Sequence, residues 1–351
     1  MIDIKRDISS VKILNSLSGN VPFTSNGVRL ASQNLKDNLS NSKGGKDQVD
    51  RDLSNKKKCR HIIKEKEARK FIKQLKKVNT NKDIFDKYTI VKVLFKRSFS
   101  LSENENKLRN GPKNEDFGNI YICKDIHDES YVMKVLPKTA CSFKEMYIHV
   151  YLQSDYVVPI HDIYINDDKI YIIMEYIPGG DLFEQVDSMD LTYNDSLSIV
   201  YRISTLLKYI HSNGVIHGDL KMENILIDKL NMYICDFGFS VFADSSYTPS
   251  IFYTNPYTAP EQLRYRNFTY KSDVWSLGVI LYTLCFNSYP FGYDNDQEYT
   301  PYEMYMLIIN KPLGIPVNTP KRIAKLISGM LEIDPKNRYS LKKVRQYLLS
   351  M

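Results

Sequence analysis

The feature that most limits the fold is a change of pattern at Pro178-Gly179-Gly180. Ahead of it come short runs rich in β-branched and aromatic residues: Tyr88-Leu94, Asn119-Lys124, Tyr131-Leu136, Val158-Tyr164 and Ile170-Glu175. Most are bounded by turn residues, as strands are. Beyond the Pro-Gly-Gly the apolar residues return at helical spacing, most clearly over Asn194-His211 and Val274-Phe286. Strands gathered ahead of helices predict an α+β chain in two lobes. No internal repeat interrupts that reading.

The first part of the chain has a different composition. Residues 1–58 are rich in Ser, Asn, Lys and Asp and poor in aromatics. Such a stretch cannot bury enough apolar surface to offset its ordering entropy, so a disordered polar extension is expected, with a short ordered piece around Val11-Leu17. Over 59–80, Ile62, Ile63, Phe71, Ile72, Leu75 and Val78 recur among basic residues at roughly helical spacing. They predict a basic amphipathic helix that packs its stripe on the following domain, with a membrane-surface or partner-binding helix as the alternative. The run Lys56-Lys57-Lys58-Cys59-Arg60 is read as solvated, with a nuclear-import patch as the alternative.

Composition excludes several classes. No run of about 18 apolar residues occurs, so no membrane-spanning helix is expected. Met1-Ile2-Asp3-Ile4-Lys5-Arg6 lacks a signal peptide's apolar stretch, and Ile2 stands where myristoylation needs glycine. The 5 cysteines are scattered without a CxxC pair, against a disulfide framework or zinc knuckle. A reducing compartment is expected, the cytoplasm first and the nucleus as the alternative. The net charge of +7 is a mild excess and does not argue for nucleic acid.

The residues that carry chemistry stand close together. His217-Gly218-Asp219-Leu220-Lys221-Met222-Glu223-Asn224 is followed, twelve residues beyond Asn224, by Asp236-Phe237-Gly238. Next come Ala259-Pro260-Glu261 and Ser272-Asp273-Val274-Trp275-Ser276-Leu277-Gly278. In this order and near this spacing, the set resembles the eukaryotic protein kinases of serine/threonine type, in the calcium/calmodulin-dependent-kinase-like group. The resemblance runs from about Lys87 to the C-terminus.

The resemblance implies a bilobal protein-kinase fold, α+β, with a β-rich N-lobe over 87–175 and an α-rich C-lobe over 178–351. It implies MgATP as cofactor and protein hydroxyls as acceptors. Phosphoryl transfer asks mainly for positioning and charge neutralisation. Asp219 would orient the attacking hydroxyl or take its proton, and Lys221 would reach the γ-phosphate. Asn224 and Asp236 would supply oxygen ligands to Mg2+. Lys134, in Tyr131-Val132-Met133-Lys134, would pair the α- and β-phosphates, held by Glu145. Adenine would bond backbone groups of Glu175 and Ile177, with Met174 behind it. Glu261 would pair with Arg338, and Asp273 would accept backbone N–H bonds from the catalytic loop. Thr254 would bridge Asp219 and Lys221, while Asp181 and Glu223 would bind an arginine of the substrate. A monomer acting on protein substrates is expected. No EF-hand loop is present, against direct calcium control.

Two departures from the family pattern stand out. The glycine-rich loop is lost at Phe95, Arg97 and Ser100, a polar insertion runs from Ser102 to Asp116, and Gly118 alone is left for the last phosphate contact. Gly218 replaces the arginine that usually receives an activation-loop phosphate. These two features support the alternative of a pseudokinase, a nucleotide-binding or scaffold module without turnover.

Overall fold

In the computed structural model the described residues are 84–95, 119–166, 168–187, 189–245, 255–294 and 296–350. The expectations for residues 1–80, for the 102–116 insertion, for Gly118 and for Thr254 lie outside them. The chain divides into two compact units. One holds the described residues up to 138 together with 161–174, and the other holds 139–160 and 175–350.

The first unit is built on an antiparallel ladder. Its sheet contains β1 (Thr89–Phe95), β2 (Asn119–Lys124), β3 (Ser130–Pro137), β4 (Ile160–Ile165) and β5 (Lys169–Glu175), in the order β1-β2-β3-β5-β4. The turn between β2 and β3 is set by Asp125, whose carboxylate accepts the N–H of His127 at 2.9 Å and of Glu129 at 3.0 Å. That turn fixes the register Ile120↔Lys134 and Tyr121↔Met133. Cys123, Met133, Val135, Tyr164, Tyr171 and Ile173 form the core, joined by Ile84 and Tyr88 from the short helix α1 (Ile84–Lys87) and its end. Tyr88 meets Tyr131 and Tyr164 edge-on, at centroid distances of 5.8 and 6.2 Å. Burial pushes the Cys123 thiol up to about 11, so this cysteine behaves as a small hydrophobe.

The second unit is mainly helical. α2 (Ala140–Tyr151) starts where the Thr139 hydroxyl accepts the Ser142 N–H. α3 (Leu182–Val186) is capped in the same way by Asp181, and α4 (Tyr193–Ser212) opens on a capping box of Thr192 and Asp195. Two small ladders follow: β6 (Val215–Ile216) with β9 (Val241–Phe242), and the hairpin of β7 (Ile225–Asp228) and β8 (Asn231–Ile234). α5 (Pro260–Tyr265), α6 (Tyr270–Phe286), α7 (Pro301–Asn310), α8 (Lys321–Met330) and α9 (Leu341–Leu349) complete it. α6 is buried from Ser272 to Tyr282, as its nearly uninterrupted apolar sequence requires. It packs with Ile199, Val200, Ile203 and Leu207 of α4 in one core.

The Pro-Gly-Gly that divides the sequence has a steric reason. A Cβ on Gly179 would lie 2.0 Å from the Ile227 carbonyl oxygen, so only glycine lets the chain pass β7. No described helix is long and apolar enough to cross a membrane.

Candidate active site

The site is built around the segment that leaves β6. Asp273, in the first turn of α6 and buried, accepts the N–H of His217 and of Gly218, each at 2.9 Å. It also bonds His211 Nε2, at the end of α4, at 2.7 Å. The predicted role of Asp273 is thus realised, with His211 as a further partner. The N–H of Asp219 donates to His217 Nδ1 at 3.3 Å, so the Nε2–H of that ring donates to the Cys235 carbonyl at 3.1 Å. The Ser240 hydroxyl closes the cradle on the His217 carbonyl at 2.8 Å.

Asp219 is buried, with 8% of its surface exposed, and charged or polar donors meet it on both oxygens. Lys221 Nζ lies 3.3 Å from Oδ2, and Asn255 Nδ2 donates to Oδ1 at 2.9 Å. Burial alone would lower the Lys221 amine, but the carboxylates of Asp219, Glu223 and Asp236 outweigh it and hold its pKa above the usual lysine value. Asn224 ends a 3-10 turn, Met222–Asn224, and spends its amide N–H on the Asp219 carbonyl at 2.8 Å. Its amide oxygen is therefore the atom available to a ligand.

Asp236 takes the left-handed backbone, φ 62°, a conformation rare for a residue with a Cβ. The turn is held by the Gly238 N–H, which donates to Asp236 Oδ1 at 3.1 Å. A Cβ on Gly238 would come within 3.3 Å of Asp236 Oδ1 and of Glu145 Oε2, so the α2 glutamate stands beside this turn. Lys144 donates to the Gly238 carbonyl at 3.3 Å, and burial lowers its amine to about 8. Phe237 packs between the rings of His149 and His217, at 5.1 and 5.5 Å.

A carboxylate from Asp236 and an amide oxygen from Asn224 suit a hard cation that prefers oxygen. Among the described residues no group of three or more His, Cys, Asp or Glu could hold a metal by itself. A pair of oxygen donors fits magnesium, which keeps waters and substrate phosphates as its other ligands.

Residues 112–349 match the family described as protein kinase domain. The chain belongs to the protein kinase family. It is 31% identical over 245 residues to the CBL-interacting serine/threonine-protein kinase 20 of Arabidopsis thaliana, covering 66% of this chain and 55% of that protein. It is 30% identical over 241 residues to an Aurora kinase of Patiria pectinifera, covering 65% and 58%. With the ribosomal protein S6 kinase alpha-1 of Rattus norvegicus it shares 32% over 249 residues, covering 66% and 34%. The chain thus spans only about a third to somewhat over half the length of these curated relatives. The β-rich and helical parts are those of the mixed α+β kinase fold.

The remaining expected residues of this kinase chain fall as follows. Lys134 is buried on β3 of the first unit. Glu175 sends its N–H to the Pro159 carbonyl at 3.0 Å, and Ile177 is buried just after it. Asp181 caps α3, its carboxylate accepting the Glu184 N–H at 2.8 Å. Glu223 is exposed, yet desolvation by its neighbours raises its carboxyl pKa, and the charges of Asp219 and Asp181 add to the rise. Glu261 and Arg338 form the predicted buried pair, at 2.7 and 2.9 Å.

Some features of the site escape a reading of motifs. The Gly218 position looks like the loss of an arginine, but its φ of 80° and the Phe268 ring give it a reason of its own. A Cβ there would lie 2.7 Å from the Phe239 carbonyl oxygen and 2.9 Å from the Phe268 ring. Gln262, next to the predicted Glu261, donates to the Gly218 carbonyl at 3.0 Å and accepts the Ala259 N–H at 3.0 Å. No pattern of spacing announces such a contact.

Proposed function

We propose that the chain is an ATP-dependent protein serine/threonine kinase. The observation that carries this reading is the buried Asp219 carboxylate, flanked by Lys221 and backed by Asn224, with Asp236 two residues beyond the Ile234 that pairs with β7. MgATP, when bound, supplies the phosphoryl group and the metal that neutralises it. Asn224 and Asp236 would hold that metal through their oxygens. Glu175 has committed its N–H, so its carbonyl and the Ile177 N–H are the backbone groups offered to adenine. Lys134 would meet the α- and β-phosphates, Gly118 would give the last loop contact, and Lys221 would meet the γ-phosphate. Asp219 would accept the proton of the serine or threonine hydroxyl as its oxygen bonds to the γ-phosphorus and the bond to the β-phosphate oxygen breaks. Thr254 would align the acceptor. A monomer working in the cytoplasm completes the proposal.

Incubation with γ-labelled MgATP and a mixed protein substrate tests the reading. Label on serine and threonine is the expected result. No transfer under varied metals and phosphorylation states would instead favour a scaffold module.

The preferred substrate carries an arginine about three residues before the acceptor. Asp181 and Glu223 supply two carboxylates, and desolvation, with the charges of Asp219 and Asp181 added to it, raises the carboxyl pKa of Glu223 despite the nearby Lys221. A guanidinium would stabilise the charged form by charge-assisted, bidentate hydrogen bonds. Asp181 keeps one oxygen for the α3 cap, so Glu223 would be the stronger of the two. In a peptide array, the double change Asp181→Ala, Glu223→Ala is expected to flatten an arginine preference while leaving ATP affinity nearly unchanged. A proline-directed or acidic preference in the wild type would contradict this.

A further inference from the structure

We infer that Asn255 is a positioning residue for phosphoryl transfer: its side-chain amide fixes the rotation of the Asp219 carboxylate. The inference rests on the kinase reading above, and it assigns a role to a residue that no motif marks. Asn255 Nδ2 donates to Asp219 Oδ1 at 2.9 Å. The direction of that bond is set by the rest of the network. The amide oxygen of Asn255 accepts the N–H of Tyr257 at 3.0 Å and the hydroxyl of Thr258 at 3.0 Å. A flipped amide would turn its NH2 against the Tyr257 N–H, two donors face to face, so the NH2 must face Asp219.

The geometry gives the contact its consequence. Lys221 and Asn224 approach Asp219 Oδ2, at 3.3 and 3.4 Å, while Asn255 approaches Oδ1. A carboxylate held through one oxygen still turns about its Cβ–Cγ bond. Asn255 takes the second oxygen and fixes the plane of the group. Because the donor is a neutral amide, it orients the carboxylate without a full positive charge competing for the proton that Asp219 must accept. The tie also has a rigid anchor. Tyr257 is buried, and its carbonyl accepts the Ser276 hydroxyl of α6 at 2.8 Å. The aspartate is thereby aligned against α6 through Asn255 and Tyr257, by a route separate from Asp273, which holds the backbone of His217 and Gly218 and the ring of His211. Proton transfer depends on sub-ångström alignment, so loss of the orienting bond to Oδ1 is felt in turnover rather than in binding.

The test separates orientation from folding. Asn255→Asp keeps an oxygen for Tyr257 and Thr258 but replaces the donor with a carboxylate facing Asp219. Asn255→Ser keeps a short acceptor for the turn but cannot reach Asp219. With the full chain, MgATP and a peptide that offers a free serine hydroxyl as acceptor, both variants are expected to lose at least tenfold in kcat. KM for ATP should stay within twofold and the melting temperature within about 3 °C of wild type. Asn255→Asp should lose more than Asn255→Ser, since it adds repulsion to the lost bond. Two variants with wild-type kcat would overturn the proposal while leaving the kinase reading intact. A fall in melting temperature that tracks the loss of kcat would also overturn it, by assigning Asn255 to the fold of its turn. A wild-type chain with no turnover would overturn the kinase reading itself, and this inference with it.

Discussion

Arg338→Ala is expected to destabilise the helical unit by about 3–5 kcal/mol, the range for removing one partner of a buried ion pair. At the scale of a unit this size, that is roughly a 10 °C fall in melting temperature. Arg338 is 1% exposed and makes a two-pronged bond to Glu261. Its other N–H groups donate to the carbonyls of Glu332 at 2.8 Å, Lys271 at 2.7 Å and Ile333 at 3.1 Å. The guanidinium also lies over the Trp275 ring, 4.9 Å from its centroid. Truncation strands the buried Glu261 charge and three carbonyls together, which explains why the loss is large. Arg338→Lys should rescue little, because a single ammonium cannot reproduce the fork. The double change Glu261→Leu, Arg338→Met should recover part of the stability, since it removes the stranded charge. A melting temperature for Arg338→Ala within about 2 °C of wild type would contradict the account.

The second large effect concerns Gly218→Arg, which would restore the residue usual in the family. Restoration is expected to damage the protein. The left-handed backbone costs a side-chain-bearing residue about 1–2 kcal/mol, and the 2.7 Å approach to the Phe239 carbonyl oxygen must then be relieved by moving backbone. That backbone carries Asp219 in the next position and is bonded on both sides, to Asp273 and to Gln262. A displacement of the catalytic loop near 1 Å can cost about 100-fold in rate, and a loss of that order in kcat is expected. Adding Phe268→Ala should relieve the ring contact but not the carbonyl contact, so only part of the rate should return. Wild-type turnover in Gly218→Arg would show that the position tolerates the arginine.

The strands and long helices were legible because their patterns are local. Alternating β-branched residues, apolar residues at helical spacing and the Pro-Gly-Gly break act within a few residues. The observed β2, β3, β5 and α4 lie within a residue of the expected runs. α6 starts earlier than the apolar run beginning at Val274, because Thr269 caps it ahead of the first buried residues. β4 starts later than Val158, whose N–H is instead committed to the Ile234 carbonyl at 3.2 Å. The Glu261–Arg338 pair was legible through motif order, although its partners are 77 residues apart. Gln262, His211 and Asn255 were not, since each makes a single long-range hydrogen bond that leaves no periodic trace. The sign of φ at Gly218 was also hidden: a glycine in a motif where arginine is usual reads as a loss until Phe268 and Phe239 are seen to occupy the space.

The central claim is that Asp219 takes part in phosphoryl transfer and not in nucleotide binding. The most direct measurement pairs calorimetric titration of MgATP with label transfer to a protein substrate, in the wild type and in Asp219→Asn. The substitution keeps the size of the side chain and removes its basicity. MgATP affinity is expected to stay within a few-fold, because the oxygens of Asn224 and Asp236 that we propose as metal ligands remain, while transfer falls by about 10²–10⁴, the usual contribution of a positioned acid or base. Transfer by Asp219→Asn at the wild-type rate would contradict the account.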